Sequence, residues 1–316
     1  METTLSLSVG ITTRNRRESL NRCLASLAVL SGSAIEVMVL DDCSDPPVNV
    51  AEVQALSPGL PIAVIRHPSN LGYIAGRNRL VESAKSDSVL LLDDDTRLTC
   101  AESVWTAVTM LRSNRAHAAI AFAQLDNEEK PWPDAMQPAP VHHPCWTPTF
   151  IGFAHLLRRS TFLELGGYRE ILHYYGEEKE YCLRLLDAGH KVVFLPRCGI
   201  VHHPDPGGRD QIRYYRYYTR NDCLNALLNF PWPLAAGLVA TRLARYHETL
   251  WRHLRLRDAR GRLWVLQQLK DAWPIVAKTR RAVGWRTILL WQRLKRDHPP
   301  SPTSADNTSG SPPESA

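Results

Sequence analysis

The sequence contains no C-x-x-C pair, no internal repeat and no recognisable export signal. Its seven cysteines are odd in number and scattered along the chain, so neither a disulfide framework nor a zinc site is predicted. The opening residues METTLSLSVG lack the basic segment and longer apolar run that export requires. Residues 223–241 are uncharged, but two asparagines and two prolines interrupt them, so we expect no membrane-spanning helix there. We therefore expect a cytoplasmic protein.

Positive charge is concentrated near the C-terminus. The 316 residues carry a formal net charge of +6, with 44% hydrophobic and 22% charged residues, an ordinary globular composition for one large or two modest domains. From Arg242 to Asp297, however, 15 lysines and arginines face four acids, a local charge of +11 that leaves −5 for the rest of the chain. Basic character is therefore a property of the C-terminal part.

Short apolar segments alternate with amphipathic ones in the first half of the chain. The strand pattern occurs over 5–12, 34–40, 61–67 and 88–92, and the helix pattern over 17–30 and 75–85. Further along, we predict a strand and a helix within 149–167, a helix over 177–189 and a strand over 191–196. This alternation predicts an α/β fold with a mostly parallel sheet and helices on both faces. No G-x-G-x-x-G follows the first strand, which argues against the dinucleotide-binding form of that fold.

Polar residues cluster where the predicted strands end. They are residues 12–16, Asp41 with Asp42, and Asp93, Asp94 and Asp95. Ligands of such sheets bind beyond the carboxyl ends of the strands, so we expect one shared crevice. Three adjacent carboxylates suit Mg²⁺ or Mn²⁺ bound to substrate phosphates, and a cation and a diphosphate would offset their mutual repulsion. The alternatives are a solvated turn or an N-cap for the next helix.

Each remaining candidate has both a functional and an ordinary structural interpretation. Asp41 could accept a hydrogen bond from a base or ribose, or could belong to a turn. Arg77 could pair with a phosphate or lie on a solvated helix face. The acids at 177, 178 and 180 could supply a general base, or could complement the dipole of a helix N-terminus. His202 could complete a metal site or cap a strand.

Taken in order, these segments resemble the inverting nucleotide-sugar glycosyltransferases of family 2. SVGITTRNR is similar to the family's first strand and its T-x-N-R turn, EVMVLDDCS to E-V-[IV]-V-V-D-D-G-S, and NLGYIAGRN to N-x-G-x-A-x-A-R-N. LLLDDDTRL is similar to the acidic D-x-D segment, and GGYREILHYYGEEKEYCLRL to G-G-F-D-E followed by E-D-x-D-L-x-x-R. VHH and YYTRNDCL resemble the family's later His and R-N. The resemblance spans residues 5–229.

The resemblance implies a GT-A fold, a Rossmann-like mixed and mostly parallel sheet, and a role for each matched residue. It implies that Asp93 and Asp95 bind Mg²⁺ or Mn²⁺, with His202 as a further ligand. Glu178, at the second position of the E-D motif, is implied as the catalytic base. The implied donor-binding residues are Thr12, Arg14, Asp41, Arg77 and Asp94.

The sequence departs from the family pattern at three positions within the matched segments. Arg14 stands where many relatives have Tyr, which replaces aromatic stacking on the base by a guanidinium. Cys43 stands where Gly is usual. Glu178 stands where the family has Asp. The extra methylene moves the carboxylate by more than an ångström, and catalysis is sensitive to displacements of about that size.

The implied function is a metal-dependent transferase of the hexosyltransferase type (EC 2.4), of the kind used in polysaccharide biosynthesis. It would move a sugar, with inversion, from a nucleoside-diphosphate sugar to a hydroxyl of a glycan, a lipid-linked or a small-molecule acceptor. Two alternatives remain: a sugar nucleotidyltransferase, for which TTRNRRESL is a poor activating loop, and a non-catalytic nucleotide-sugar-binding protein of the same fold.

We predict three parts: a catalytic domain over 1–229, a basic amphipathic helical extension over 230–298, and a disordered tail over 299–316. The extension could lie on an anionic membrane surface, which would place the protein at the inner face of a membrane, or could pack on the catalytic domain. It contains no recognised nucleic-acid reader motif, so we expect no nucleic-acid partner. Residues 131–148, rich in proline and aromatic residues, are predicted as a long excursion used for binding or as a lid.

Overall fold

The computed structural model describes residues 6–204 and 210–301, and within them a mixed sheet occupies the centre of the molecule. Its strands are β1 (Leu7–Thr13), β2 (Ile35–Asp41), β3 (Ile62–Arg66), β4 (Ser88–Asp93), β5 (Thr96–Arg97), β6 (His117–Leu125), β7 (Cys145–Thr147), β8 (Ala154–Arg158) and β9 (Lys191–His202). The spatial order is β3-β2-β1-β4-β8-β6-β9-β5, with β7 also paired to β9.

Helices cover both faces of this sheet. They are α1 (Arg17–Ser26), α2 (Val50–Leu56), α3 (Tyr73–Ser83), α4 (Ala101–Ser113), α5 (Arg159–Glu164), α6 (Glu177–Asp187), α7 (Gln211–Asn229), α8 (Trp232–Leu254), α9 (Gly261–Thr279) and α10 (Trp285–Asp297). Apolar side chains from the two faces of the sheet form two separate core clusters. The predicted α/β class is confirmed.

The first four strands are parallel, so their carboxyl ends meet at one edge of the sheet. β1 pairs with β2 and with β4, and β2 pairs with β3, all in parallel. Every residue of β1 is buried, and Val89 to Leu92 of β4 are at most 2% exposed. Strands covered on both faces become continuous apolar runs, and this is the signal from which the sequence predicted them.

Strand β6 joins the two halves of the sheet, but the sequence pattern did not predict it. Its sequence HAAIAFAQL is rich in alanine, a residue with weak strand propensity. The strand is nevertheless buried between β8, to which it is antiparallel, and β9, to which it is parallel. Tertiary burial therefore overrides local propensity in this segment.

The C-terminal helices pack on the rest of the protein. α8 and α9 lie against α7, and α10 lies against α6 and β7. Asp222 of α7 forms ion pairs with Lys179 of α6 and Arg242 of α8, which ties three helices together. In the part of the chain that the structure describes, no helix has the length and apolarity needed to cross a bilayer.

The predicted domain boundaries stay predictions. Pro299 accepts a hydrogen bond from the Trp146 amide, and the Ser301 amide donates to Pro144, so the first residues of the predicted tail pair with the 144–146 segment. The remainder of that predicted tail, 302–316, lies outside the described residues.

Replacing Glu180 should destabilise the fold. This fully buried carboxylate accepts hydrogen bonds from Arg169, Arg184 and Asn229. Glu180→Gln leaves buried guanidinium groups without their counter-charge, so we expect a loss of about 3–5 kcal/mol in the free energy of unfolding, measured by urea titration. Glu82→Gln, in an exposed pair with Arg79, is the control and should cost under about 0.5 kcal/mol.

The stabilisation by Glu180 should also depend on pH. Burial raises its pKa, but Arg184 and Arg169 outweigh burial and hold the pKa below the ordinary 4.5. The contribution is therefore present above pH 4.5 and lost as the pH falls through the lowered pKa. Equal losses for Glu180→Gln and Glu82→Gln at neutral pH would contradict this reading of the buried cluster.

Candidate functional site

The three aspartates after β4 are mostly buried. Asp94 and Asp95 are 3% and 8% exposed, so the solvated-turn alternative is wrong. The N-cap alternative is also wrong, because α4 begins at Ala101 with Cys100 in the capping position. Arg16 bridges the two carboxylates, with Nη1 2.7 Å from Asp94 Oδ1 and Nη2 2.9 Å from Asp95 Oδ2.

Arg77 joins this acidic strand end to helix α6. It is 3% exposed, so it does not lie on a solvated helix face. Its Nη2 donates to Asp93 Oδ1 at 2.5 Å and to the Gly152 carbonyl at 2.8 Å. Its Nη1 donates to Glu177 Oε1 at 2.7 Å. One planar guanidinium therefore holds the end of β4 and the start of α6 at a fixed separation.

The three acids of α6 have different environments. Glu177 is fully buried and also accepts a hydrogen bond from Tyr73 Oη at 3.2 Å. Glu180 belongs to the arginine cluster described above. Glu178 alone of the three is partly exposed. A Cβ built on Gly152 would lie 2.1 Å from Glu178 Oε1, so the absence of a side chain at 152 makes room for this carboxylate.

Burial and neighbouring charges shift the pKa values of the site carboxylates in different directions. Burial raises the pKa of Glu178 although Arg77 opposes it, and burial with the adjacent Glu178 charge raises the pKa of Glu177. Burial likewise raises the pKa of Asp94 to about 7, against the opposing effects of Arg16 and Thr13. The pKa of Glu178 is thus shifted upward, which is the direction that favours a carboxylate acting as a general base.

Asp95 has the opposite balance. Burial would raise its pKa, but His202 and Arg16 outweigh burial and lower it, so Asp95 is the ionised member of the cluster. Burial raises the pKa of Asp93, although Arg77 opposes this. The two arginines therefore already supply cations to the three aspartates, and the repulsion expected from the sequence is partly relieved within the protein.

Asp95 and His202 together fit a divalent cation. Asp95 Oδ1 is buried without a hydrogen-bond partner among the described residues, and His202 Nε2 lies 3.5 Å from it. His202 Nδ1 lies 3.2 Å from the amide oxygen of Gln124, which can only accept, so Nδ1 is the donor there and Nε2 is the ring nitrogen that faces Asp95. A carboxylate oxygen and a ring nitrogen that face each other hold either a proton or a cation between them.

Asp93 has fewer free ligand atoms to offer a cation than the corner formed by Asp95 and His202. Its Oδ1 is engaged by Arg77, and its side chain is 32% exposed, so Oδ2 is the oxygen left to a ligand. No three described residues of the types His, Cys, Asp and Glu are arranged as a metal site by themselves. The predicted set of Asp93, Asp95 and His202 therefore stays a prediction, with Asp95 and His202 as its best-supported pair.

The ends of β1 and β2 form the wall where the donor was predicted. Thr12 is buried and Arg14 is exposed at the end of β1. Asp41 is fully buried and accepts hydrogen bonds from the Ser44 and Val48 amides and from Arg66. These bonds outweigh the effect of burial and lower its pKa. Asp41 therefore holds its own loop, and donor contact by these residues stays a prediction.

Three neighbours of the site were not identified in the sequence as site residues. Arg16 and Gly152 have the contacts given above, and Trp132 stacks on His202 with ring centroids 6.4 Å apart. Trp132, His202 and Arg16 line a cleft of about 1020 Å³ beside the acidic strand end. The first strand's T-x-N-R turn could have indicated Arg16. Trp132 lies in the 131–148 excursion that was predicted for binding or as a lid, although the residue was not singled out there, and nothing local in the sequence marks Gly152.

Sequence comparison identifies the family. The model of Glycosyl transferase family 2 matches residues 8–163. Residues 8–163 therefore belong to this family. An uncharacterized glycosyltransferase of Bacillus subtilis (strain 168), YwdF, is 36% identical over 91 residues, which are 29% of this chain and 33% of that protein. The pre-mycofactocin glycosyltransferase of Mycobacterium tuberculosis (strain ATCC 25618 / H37Rv) is 26% identical over 67% of this chain and 46% of that protein. The chain therefore matches less than half the length of either relative.

Solved structures share the GT-A fold. Residues 1–349 of S. aureus TarS superpose with a TM-score of 0.59 at 15% identity, covering 92% of this chain and 90% of that one. The mannosyltransferase PcManGT of Pyrobaculum calidifontis, in complex with GDP-Man and Mn²⁺, gives a TM-score of 0.54 at 13% identity, covering 92% and 79%. At these identities the likeness establishes the GT-A fold of the chain and nothing beyond it.

Gly152→Ala tests whether Glu178 needs the space that the missing side chain at residue 152 leaves free. The new methyl group would overlap Glu178 Oε1 and press on Arg77 Nη1, 3.2 Å away. We expect the carboxylate to shift and glycosyl transfer to fall by about tenfold or more, since catalysis is sensitive to displacements near 1 Å. Steady-state kinetics and urea unfolding should be measured together.

The matched control is Gly237→Ala on α8, where a new Cβ meets nothing within 4 Å. This variant should keep its activity and be at least as stable, because alanine favours a helix over glycine. Equal activity of the two alanine variants would show that Glu178 does not need the space above Gly152.

Proposed function

We propose that the protein transfers a sugar from a nucleoside-diphosphate sugar to an acceptor hydroxyl, with inversion at the anomeric carbon. The observation that carries this proposal is the partly exposed Glu178, attached through Glu177 and Arg77 to the acidic strand end at Asp93. A base held at a fixed distance from a diphosphate-binding corner is what a single in-line displacement requires. Complexes of similar folds support it: PcManGT was solved with GDP-Man and Mn²⁺, and TarS with UDP-GlcNAc.

Glu178 is the proposed catalytic base. Its carboxylate takes the proton of the acceptor hydroxyl as that oxygen attacks the anomeric carbon from the face opposite the leaving diphosphate. Burial raises its pKa toward the working range, and Arg77 keeps the ionised form accessible. Arg77 itself is enclosed by Asp93, Gly152 and Glu177, so its proposed role is to position these walls, together with any contact to the donor.

Mg²⁺ or Mn²⁺ is the proposed cofactor, held by Asp95 and His202 with Asp93 as a further ligand. Such a cation supplies charge stabilisation to the departing diphosphate. Arg16 keeps Asp94 and Asp95 oriented toward the corner, and Gln124 fixes the tautomer of His202. The proposed donor wall is formed by Thr12, Arg14, Asp41, Arg77 and Asp94.

The finer assignments are proposals of the same kind. We propose a hexosyl donor and a glycan, lipid-linked or small-molecule acceptor, with the enzyme in the cytoplasm and in peripheral contact with the inner face of a membrane.

A nucleotidyltransferase would release diphosphate from a nucleoside triphosphate and a sugar phosphate. A non-catalytic relative would bind nucleotide sugar without turnover, so product analysis with a panel of UDP-, GDP- and dTDP-sugars separates the three.

Removing the base should abolish transfer while leaving donor binding. Glu178→Gln keeps the size of the side chain but cannot accept the proton, so kcat should fall by about 10²- to 10⁴-fold with little change in donor affinity. The wild-type rate should rise with pH through a pKa above the ordinary 4.5 of glutamate, because only the ionised form acts as a base. Glu82→Gln is the control, and near-normal turnover of purified Glu178→Gln would reject this base.

Donor and cation should bind together. In thermal-shift measurements, UDP, GDP or dTDP should raise the melting temperature of the wild type more with Mn²⁺ than without it. Asp95→Ala should lose the Mn²⁺-dependent part of that shift, since it removes a buried oxygen that no described residue engages in a hydrogen bond. Asp126→Ala, at the rim of the cleft, should keep it. A Mn²⁺-dependent shift that survives in Asp95→Ala would reject Asp95 as a ligand.

A further inference from the structure

Exposed apolar side chains are concentrated in the C-terminal helices. Of 14 large apolar side chains that are exposed in the described residues, eight lie between Trp232 and Leu289: Trp232, Trp251, Leu263, Leu266, Trp273, Ile275, Trp285 and Leu289. Four of these eight are tryptophans. The same part of the chain carries the local charge of +11. Such a concentration of exposed apolar area on a soluble chain indicates an interaction surface.

Helices α8 and α9 combine several of these side chains on one outer surface. Both helices pack on α7, and the start of α8 meets the end of α9, where Trp232 and Trp273 have ring centroids 6.0 Å apart. Leu263, Leu266 and Trp273 follow one another at helical spacing along the exposed side of α9. We call Trp232, Leu263, Leu266 and Trp273 the hairpin face.

Basic side chains surround the hairpin face. Arg262, Lys270 and Lys278 are exposed on α9 beside its apolar residues. Arg280 lies over the Trp232 ring at 4.1 Å, at the edge of the face. Asp258, one of the few acids in this part of the chain, is already paired with Arg216, so it does not neutralise these cations.

We propose that the hairpin face docks on a lipid bilayer that contains anionic lipids. Tryptophan and leucine on one side of a helix, flanked by lysine and arginine, are the side chains by which helices lie in a membrane interface. Each cation near an anionic surface adds about 1 kcal/mol of attraction. The inference rests on the proposed glycosyltransferase function and its peripheral membrane contact, and it gives that contact a defined surface.

Helix α7 connects the hairpin face to the loop that precedes Glu178, the proposed base. α7 packs beneath α8 and α9, and its Asn221 donates hydrogen bonds to the carbonyls of Leu172, Tyr174 and Tyr175, in the loop that leads into α6. On the far side, Arg169 donates to the carbonyl of Thr279 at the end of α9. Docking of the hairpin would therefore hold the start of α6 close to the bilayer, which favours an acceptor carried by a lipid.

The test compares vesicle binding by a face variant with that by a matched variant. Leu266→Ser with Trp273→Ser removes two exposed apolar side chains from the hairpin face, and Val50→Ser with Met136→Ser removes two from elsewhere. Vesicles of phosphatidylcholine with phosphatidylglycerol are sedimented with the full chain at low and high salt. The wild type and the Val50/Met136 variant should bind at low salt, and the Leu266/Trp273 variant should bind at least about tenfold more weakly.

Two further measurements make the result decisive. Phosphatidylcholine brominated in its acyl chains should quench wild-type tryptophan fluorescence, and the quenching should fall in Trp273→Ser. Transfer to a soluble acceptor should be equal in all variants, so loss of that transfer reports on the proposed function and not on docking. Wild-type protein that does not sediment with anionic vesicles at low salt, or equal binding by both double variants, would overturn the proposal. So would concentration-dependent dimerisation that the Leu266/Trp273 variant abolishes, because the face would then belong to a second copy of the chain.

Discussion

The buried guanidinium of Arg77 is the contact on which the geometry of the site depends. It lies between Asp93, at the end of a parallel strand, and Glu177, at the start of a helix more than 80 residues later in the chain. Arg77 and Glu177 are buried together, so the loss of either would leave the other without its partner, and the partly exposed Asp93 is the second carboxylate of the guanidinium. The same contact therefore supports the fold and sets the distance between the strand ends and the helix that carries Glu178.

The acidic strand end is balanced mainly by the protein itself. Arg77 pairs with Asp93, and Arg16 bridges Asp94 and Asp95, so two arginines meet three carboxylates. Asp95 Oδ1 is then left without a hydrogen-bond partner in the part of the chain that the structure describes, and it faces His202 Nε2 at 3.5 Å. A site prepared in this way needs only a small additional positive charge, which agrees with a cation that is bound together with its diphosphate rather than held permanently.

Much of the fold could be predicted from the sequence because its strands are buried on both faces. Residues 37–40 and 89–92 are continuous apolar runs followed at once by carboxylates, and the carboxyl ends of parallel strands must meet at one edge. The alanine-rich β6 could not be recognised, since its strand state comes from its neighbours. The site was predicted unevenly for a similar reason: Asp93 and Glu178 belong to local motifs, but the partners of Arg77 are separated from it by 16 and 100 residues.

The central claim is that the corner formed by Asp95 and His202 holds a divalent cation against a nucleotide's diphosphate, with Glu178 facing the same crevice. A crystal grown with Mn²⁺ and a nucleoside diphosphate tests this most directly, because anomalous scattering locates manganese without reference to any structural interpretation. The account predicts one manganese peak in contact with Asp95 Oδ1, His202 Nε2 and the diphosphate. A diphosphate bound elsewhere, or a corner that stays without manganese while nucleotide is present, would contradict it.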